Sequence, residues 1–478
     1  MAKKPSDPAV HVRMYRVGLG DCFLVTLDGA SPFHMLIDCG MWEGSAAAKA
    51  RMKQCVADIA KVTGGRLDIL VVTHEHWDHV SGFSTGQGRD FFDRATIGRL
   101  LVAWTEDPGN DDARAIRNST AALRMSLTRA LRAAEQTGLR GLADEQVLHI
   151  NGVGKNLGTG AVLGASPSDS FDWIKSRCNA SPTTEVIYAA PGKSVAIPGA
   201  RIHVLGPPQR LAALRKNDGG AAGRTSGESY FDADSPDALA EALDNGVTEA
   251  LLFAASGRMH RPSAYKGRWP FTHGDGGADL ATARRTDPFL SAIHARHREE
   301  AWRSIDRDWA ASVSSIALRL DRFTNNTSLA LAIELEHSGR VLLFPADAQF
   351  GNWSSWNDVV FPEHPDLTAS DLLRRTVLYK VGHHGSHNAT LRRRGIDLMT
   401  SPDLVAMIPV DEAFARSQPP NGWNMPYPAL LQDLRTRTRG RILRADTGAP
   451  PPSSVDAAVR RRFSRAVKVT PACVKYSL

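Results

Sequence analysis

The sequence predicts a mixed α/β fold rich in loops, and three observations carry that expectation. Short apolar runs with strand character alternate with segments of helical spacing. Forty glycines and 27 prolines among 478 residues supply many turns. Several of the apolar runs also stop abruptly at clustered ionisable residues, as in "THEHWDHVSG" at 73–82.

The elements follow in order. "VHVRMYRVG" alternates polar and apolar residues as a half-buried strand does, and "CFLVTLDG" and "FHMLIDCG" continue the strand pattern after turns. "SAAAKARMKQCVADIAKV" has helical spacing, "LDILVVT" reads as a buried strand and "ATIGRLLVAW" as another. Near residue 106 the character changes: "EDPGNDD" is a breaker cluster suited to capping, and a long helix is expected over 112–137. On its wheel Ile116, Leu123, Leu127, Ala130 and Ala134 share one side, with Arg114, Arg117, Arg124, Arg129 and Arg132 opposite. That reads as a solvated face over a packed one rather than an anion-binding ridge. Strand patterning returns over 185–208, whereas residues from 209 to about 280 have weak periodicity and read as an insertion or lid. "SLALAIELEHSGRVLLFPADA" suggests a hairpin, a helix near 369–376 leads into "TVLYKVGHHGSH", and "DLVAMIPV" and "PALLQDLRTRT" add a strand and a helix.

Composition bounds the function. A chain of 478 residues can bury one large core or two to three ordinary ones. The 58 basic residues exceed the 51 acidic ones by only 7, which permits an anionic partner without requiring one. The five cysteines, Cys22, Cys39, Cys55, Cys178 and Cys473, form no C-x-x-C pair, which argues against a disulfide framework or a cysteine-rich zinc site and for a reducing compartment. "MAKKPSDPAVHVRMYRVG" lacks the apolar core of a secretory signal, and no stretch approaches the ~20 apolar residues of a membrane span. The expectation is a soluble, cytoplasmic protein without a membrane partner.

The chemistry concentrates at His74, His76, Asp78 and His79. In an extended segment His74 and His76 point the same way, so both imidazoles can reach one ion. The chain then turns, offering Asp78 and His79 to a second ion nearby. Imidazole and carboxylate suit zinc, manganese or iron, and a metal holds each group deprotonated. Three further strand ends carry ligand-type residues: Asp38 in "LIDCG", an orienter or outer ligand; Asp347 in "LLFPADA", placed to bridge two ions through its two oxygens; and His383 and His384 in "KVGHHGSHN".

With these residues in view, the chain resembles the metallo-β-lactamase-fold hydrolases and is most similar to the branch containing the soluble domain of the competence protein ComEC. The likeness rests on "VGLGDCFLV", "LIDCG", "THEHWDHVSG", "NNTSLALAIELEHSGRVLLFPADA" and "YKVGHHGSH", which span residues 17–387. It implies an αββα sandwich with two divalent ions, zinc first among the candidates, at one edge. On that basis residues 10–105 form the first half of the fold, 106–184 a helical insertion, 185–208 core strands, 209–310 a loop-rich insertion or lid, and 311–478 the second half with a C-terminal tail. The likeness further implies that His74 and His76 hold the first ion and Asp78 and His79 the second. Asp347 bridges, and His383 completes the second site, with His384 the alternative one position on. His384, Ser386 and His387 then face substrate, His384 binding or protonating the leaving group. The chain departs from the pattern twice. No clear further histidine reaches the first ion, the candidates being His149, His203, His260 and His273, of which His203 reads better as a strand residue. Ala346 also stands where a glycine usually precedes the bridging aspartate.

The reaction so implied is hydrolysis by a hydroxide bridging two ions ~3.5–4 Å apart. The substrate expected first is a phosphodiester or other anionic compound, with nucleic acid a candidate. The basic balance and the clusters Arg392–Arg394 and Arg460–Arg462 with Arg465 favour it. Trp269, Phe271, Trp353 and Trp356 are candidates for base stacking, with buried packing the competing reading. The alternatives are a small ester, lactone or phosphocholine-type substrate, or a signalling or defence component whose metal site is regulatory.

Overall fold

The computed structural model describes residues 7–136, 167–216, 288, 320–418, 422–449 and 455–478. The chain opens with three antiparallel strands, β1 (Val10–Tyr15), β2 (Phe23–Leu27) and β3 (Phe33–Ile37). Helix α1 (Ala46–Thr63) crosses to β4 (Arg66–Val72), which pairs parallel to β3. The helix begins at Ser45, whose side chain accepts from the Ala48 N–H, and ends at Gly64 in the left-handed region. Short helices α2 (Trp77–Val80) and α3 (Arg89–Arg94) lead to β5 (Thr96–Ala103). The long helix α4 (Asp111–Gln136) follows, one residue displaced from its expected bounds, and then α5 (Pro167–Asn179).

Next come β6 (Glu185–Ala189), β7 (Ser194–Ile197) and β8 (Ala200–Gly206). The expected hairpin is β9 (Ala330–Leu335) with β10 (Val341–Phe344), followed by α6 (Phe350–Ser355), α7 (Ala369–Arg374) and β11 (Thr376–Lys380). The remainder is β12 (Val405–Ile408), α8 (Pro428–Arg437), β13 (Ile442–Arg444), α9 (Ala457–Ala466), β14 (Val467–Val469) and β15 (Cys473–Ser477).

Two sheets result, with strand orders β14-β15-β1-β2-β3-β4-β5-β6 and β13-β12-β11-β10-β9-β8-β7. The two-residue period of a strand sorts side chains to opposite faces. Phe23, Val25, Met35, Ile69 and Val71 of the first sheet meet Val204, Leu331, Ile333, Leu342 and Phe344 of the second in one buried core. Each such aliphatic or aromatic side chain contributes about 1.5–3 kcal/mol when taken from water. The intervening residues Leu24, Leu36 and Leu70 face outward under α1, α3 and α5, packing on Met52, Phe92 and Ile174. On the other side Ala332, Leu343 and Tyr379 lie under Trp353, Leu372 and Leu434. The layers are therefore helix, sheet, sheet, helix, the αββα sandwich.

Three features were not visible in the residue pattern. α5 lies in the stretch 106–184 expected as an insertion, yet Phe171, Ile174 and Cys178 cover the first sheet. Within 185–208, β6 joins the first sheet whereas β7 and β8 join the second. The C-terminal β15 returns to pair antiparallel with β1. The 209–310 segment lies almost wholly outside the described residues, as do Trp269 and Phe271. Trp353 and Trp356 are fully buried and stacked with centroids 3.9 Å apart, so they pack the core instead of offering faces to bases. No helix among the described residues is long and apolar enough to cross a membrane.

Candidate metal centre

Several loops meet where strands of both sheets end, and backbone hydrogen bonds knit them before any side chain is considered. The Asp21 N–H donates to the Asp78 carbonyl at 2.9 Å, the Gly40 N–H to the Asp21 carbonyl at 2.9 Å, and the Cys39 N–H to the His79 carbonyl at 3.0 Å. Gly40 is required here, because a Cβ on it would lie 2.2 Å from the Asp78 carbonyl carbon. From the second sheet the Leu329 N–H donates to the Thr73 carbonyl at 3.0 Å, and the Asp347 N–H to Ser328 Oγ at 3.3 Å.

Four buried histidines converge here, and His74, His79 and His384 are each held by an outer partner at one ring nitrogen. His74 Nδ1 lies 3.1 Å from Thr73 Oγ1, and His76 Nε2 faces Asp321 Oδ1 at 3.6 Å. Their remaining nitrogens, His74 Nε2 and His76 Nδ1, approach to 3.1 Å. His79 Nδ1 lies 2.8 Å from Asp38 Oδ2, while its Nε2 faces Asp347 Oδ2 at 3.1 Å and Asp78 Oδ2 at 3.8 Å. His384 Nδ1 meets the Pro409 carbonyl at 2.7 Å and its Nε2 meets Asp78 Oδ2 at 2.8 Å. Outer partners of this kind fix a ring's tautomer and orientation and leave the other nitrogen for a metal.

The charges follow from burial. Asp347 is held well below the usual carboxylate range: burial opposes ionisation, but His79 and Lys380 outweigh it. Asp78 is lowered likewise, against burial, by His79 and by the hydrogen bond from His384. Burial alone would discharge His79, yet Asp347, Asp21, Asp38 and Asp78 hold it well above the ordinary imidazole range. His76, buried and beside His79, is pushed down to about 3 despite the opposing field of Asp78. His74 is also held well below its ordinary value, by burial and the neighbouring imidazoles.

Asp78, His79, Asp347 and His384 each present a ligand atom within 4.8 Å of the others, all four buried. Asp78 Oδ1 and His79 Nε2 are buried without a hydrogen-bond partner, the kind of leftover that a bound ion satisfies. Two nitrogens and two carboxylates are a donor set for a divalent transition metal, so the residues present fit such an ion. His74 Nε2 and His76 Nδ1 form a second, thinner nitrogen pair. His203 takes no part: it lies in β8, held by Ser194 and Glu334 at 2.9 Å each. His149, His260 and His273 lie outside the described residues.

Of the two adjacent histidines it is His384, not His383, that joins the cluster. His383 contributes its backbone N–H, which donates to Asp347 Oδ1 at 3.0 Å. That oxygen is also 3.3 Å from Lys380 Nζ, so the expected two-oxygen bridge from Asp347 does not fit and Oδ2 alone faces the cluster. His384 has both nitrogens engaged, which fits a ligand better than a proton donor to a leaving group. Asp38 accepts from the Thr73 N–H at 2.8 Å and the Thr73 hydroxyl at 2.7 Å and faces His79 Nδ1 at 2.8 Å. Ser386 is buried with its hydroxyl on Asn388, and His387 is half-buried with its ring 5.8 Å from that of Tyr427.

Sequence reasoning missed Asp21, Thr73, Lys380 and Asp321. The signal for Lys380 was a lone cation at the end of an apolar strand, and for Asp21 the two glycines of "GLGD". It also read the arginines of α4 as solvated. Arg117 instead donates to the Thr105 and Asp107 carbonyls, and Arg124 pairs with Glu75, the residue between His74 and His76. The side chains of Arg129 and Arg132 lie outside the described ones. Arg392–Arg394 are exposed, with Arg392 3.7 Å from Asp433; Arg460, Arg461, Arg462 and Arg465 are exposed on α9.

Residues 15–158 match the family model of the metallo-beta-lactamase superfamily, which takes in Asp21, Asp38 and the whole H-x-H-x-D-H segment. No curated protein matches the chain.

Proposed function

We propose that this protein is a metal-dependent hydrolase of the metallo-beta-lactamase kind, that it holds two divalent ions with zinc preferred over manganese or iron, and that it cleaves phosphodiesters, with nucleic acid one candidate substrate. One observation carries the reading. Three of the four buried histidines, His74, His79 and His384, rest one ring nitrogen on an outer partner, and Asp78, His79, Asp347 and His384 gather their ligand atoms within 4.8 Å of one another. A purely structural cluster would not leave Asp78 Oδ1, His76 Nε2 and His79 Nε2 buried without hydrogen-bond partners.

In this reading Asp78, His79, Asp347 and His384 hold one ion, and His74 with His76 hold the other. Bound there, divalent ions supply Lewis acidity toward a phosphoryl oxygen and acidify water. The chain's own part is orientation: Asp38 and Thr73 fix His79 and His74, Pro409 fixes His384, and Arg124 fastens Glu75 between the paired histidines. The phosphodiester preference is supported by the likeness of "THEHWDHVSG" and "YKVGHHGSH" to the ComEC soluble domain, by the net charge of +7, and by the exposed arginines of 392–394 and α9.

The test is hydrolysis of bis-p-nitrophenyl phosphate and of single- and double-stranded nucleic acid by the metal-loaded protein. Chelation is expected to abolish cleavage and zinc or manganese to restore it. Asp78→Ala is expected to reduce the rate about 100-fold or more, since even outer-partner changes cost metal sites 10–100-fold. An Asp78→Ala protein that cleaves phosphodiesters at the wild-type rate excludes the reading, and activity confined to esters or lactones moves the substrate to the small-molecule class.

A further inference from the structure

Lys380 ends β11, whose other residues are Thr376, Val377, Leu378 and Tyr379, and it is only 1% exposed. A buried ammonium is costly unless every proton finds a partner. Its Nζ is paired with Asp21 Oδ2, donates to the Ala346 carbonyl at 2.9 Å and reaches Asp347 Oδ1 at 3.3 Å. The His383 N–H donates to the same Asp347 oxygen at 3.0 Å. Asp347 Oδ1 is therefore occupied from two sides, while Oδ2 faces His79 Nε2. Asp21 is itself anchored through its backbone to Asp78 and Gly40. The lysine thus ties the β1–β2 loop of the first sheet to the aspartate that ends β10 in the second.

We propose that Lys380, held by Asp21, is a positioning residue for the metal centre: by capturing Asp347 Oδ1 it commits Asp347 to give a single oxygen, Oδ2, to an ion shared with Asp78, His79 and His384. The inference rests on the reading of Asp347 as a metal ligand. It deepens that reading by fixing the ligand count. With Lys380 in place the set is two carboxylate oxygens, one from each aspartate, and two imidazole nitrogens. Without it the second Asp347 oxygen is released to the ion and the carboxylate is free to swing.

The test uses the full chain and two variants, Lys380→Met and Asp21→Asn/Lys380→Met. The single change strands the Asp21 carboxylate in the interior, so the double change, which removes both charges, guards against loss of folding. Either variant that melts cooperatively serves. Zinc affinity is read by competition with a chromogenic chelator, and ligand number by the d–d spectrum of the cobalt(II)-loaded protein. The expected result is a weaker, shifted cobalt band as ligand number rises, together with zinc affinity changed about 10-fold or more from wild type. A folded variant with wild-type zinc affinity and a wild-type cobalt spectrum overturns the inference and leaves the pair a structural ion bridge. A wild-type protein that takes up neither metal overturns the metal reading as well, so the two failures are told apart by the wild-type titration.

Discussion

Ala346 precedes Asp347 with φ at +52°, in the left-handed region that a Cβ disfavours by about 1–2 kcal/mol. Asp38, His383 and His384 share that region, with φ of 55°, 44° and 54°. Strained backbone at three strand ends, all feeding one cluster, is the pattern of a site held by its surroundings. For Ala346→Gly the relief of strain is offset by about 0.4–1 kcal/mol of added freedom in the unfolded chain. Chemical denaturation is expected to show a variant between unchanged and about 1 kcal/mol more stable, and a clear loss of stability would mean that the methyl group packs usefully. These left-handed residues also explain what the sequence could and could not disclose. The convergence of His74 and His76 was legible because alternation along an extended segment fixes where the two rings point. The choice between His383 and His384 was not, because two successive left-handed residues re-aim the side chains in a way no periodicity encodes.

At the scale of elements, β8 and β9 are joined by more than their ladder. Glu334 of β9 accepts from His203 of β8 and pairs with Arg375, which follows α7. The hydrogen bond from His203, with that from Arg375 and its charge, outweighs partial burial and holds the Glu334 carboxyl at about 2, against an ordinary value of 4.5. A carboxyl depressed on folding contributes stability that is complete above its unfolded value and lost as pH falls toward the folded one. Glu334→Gln is therefore expected to be less stable than wild type at pH 7 by about 1 kcal/mol, after discounting for solvent screening. The deficit should shrink between pH 4.5 and about 2. Urea melts at pH 7 and pH 3 measure both, and an equal deficit at the two pH values would assign the effect to shape instead of charge. Elements of this kind were half legible: the β9–β10 hairpin followed from alternation, but α5 looked like insertion because a helix covering a sheet and a helix in an appendage share one amphipathic pattern.

Across the whole molecule, the cluster gathers the β1–β2 loop, the ends of β3 and β4 from one sheet and the ends of β10 and β11 from the other. An ion bound only by the folded chain staples the sheets together, stabilising by about 2.7 kcal/mol at a hundred times its dissociation constant. Chelated protein is expected to melt several degrees below the zinc-loaded form, with the midpoint climbing as the logarithm of free zinc; a midpoint indifferent to zinc would show that the cluster is not a metal site.

The return of β15 to β1 carries a consequence for biosynthesis. During translation β1 emerges early, but its outer neighbour is residues Cys473–Ser477, so that flank has no backbone partner until nearly all of the described chain has left the ribosome. For that interval Val10–Tyr15 present a row of unsatisfied amides beside the segment that supplies Asp21. Completion of the first sheet, and with it the final setting of that loop, therefore waits until Cys473–Ser477 are available to close the seam beside β1.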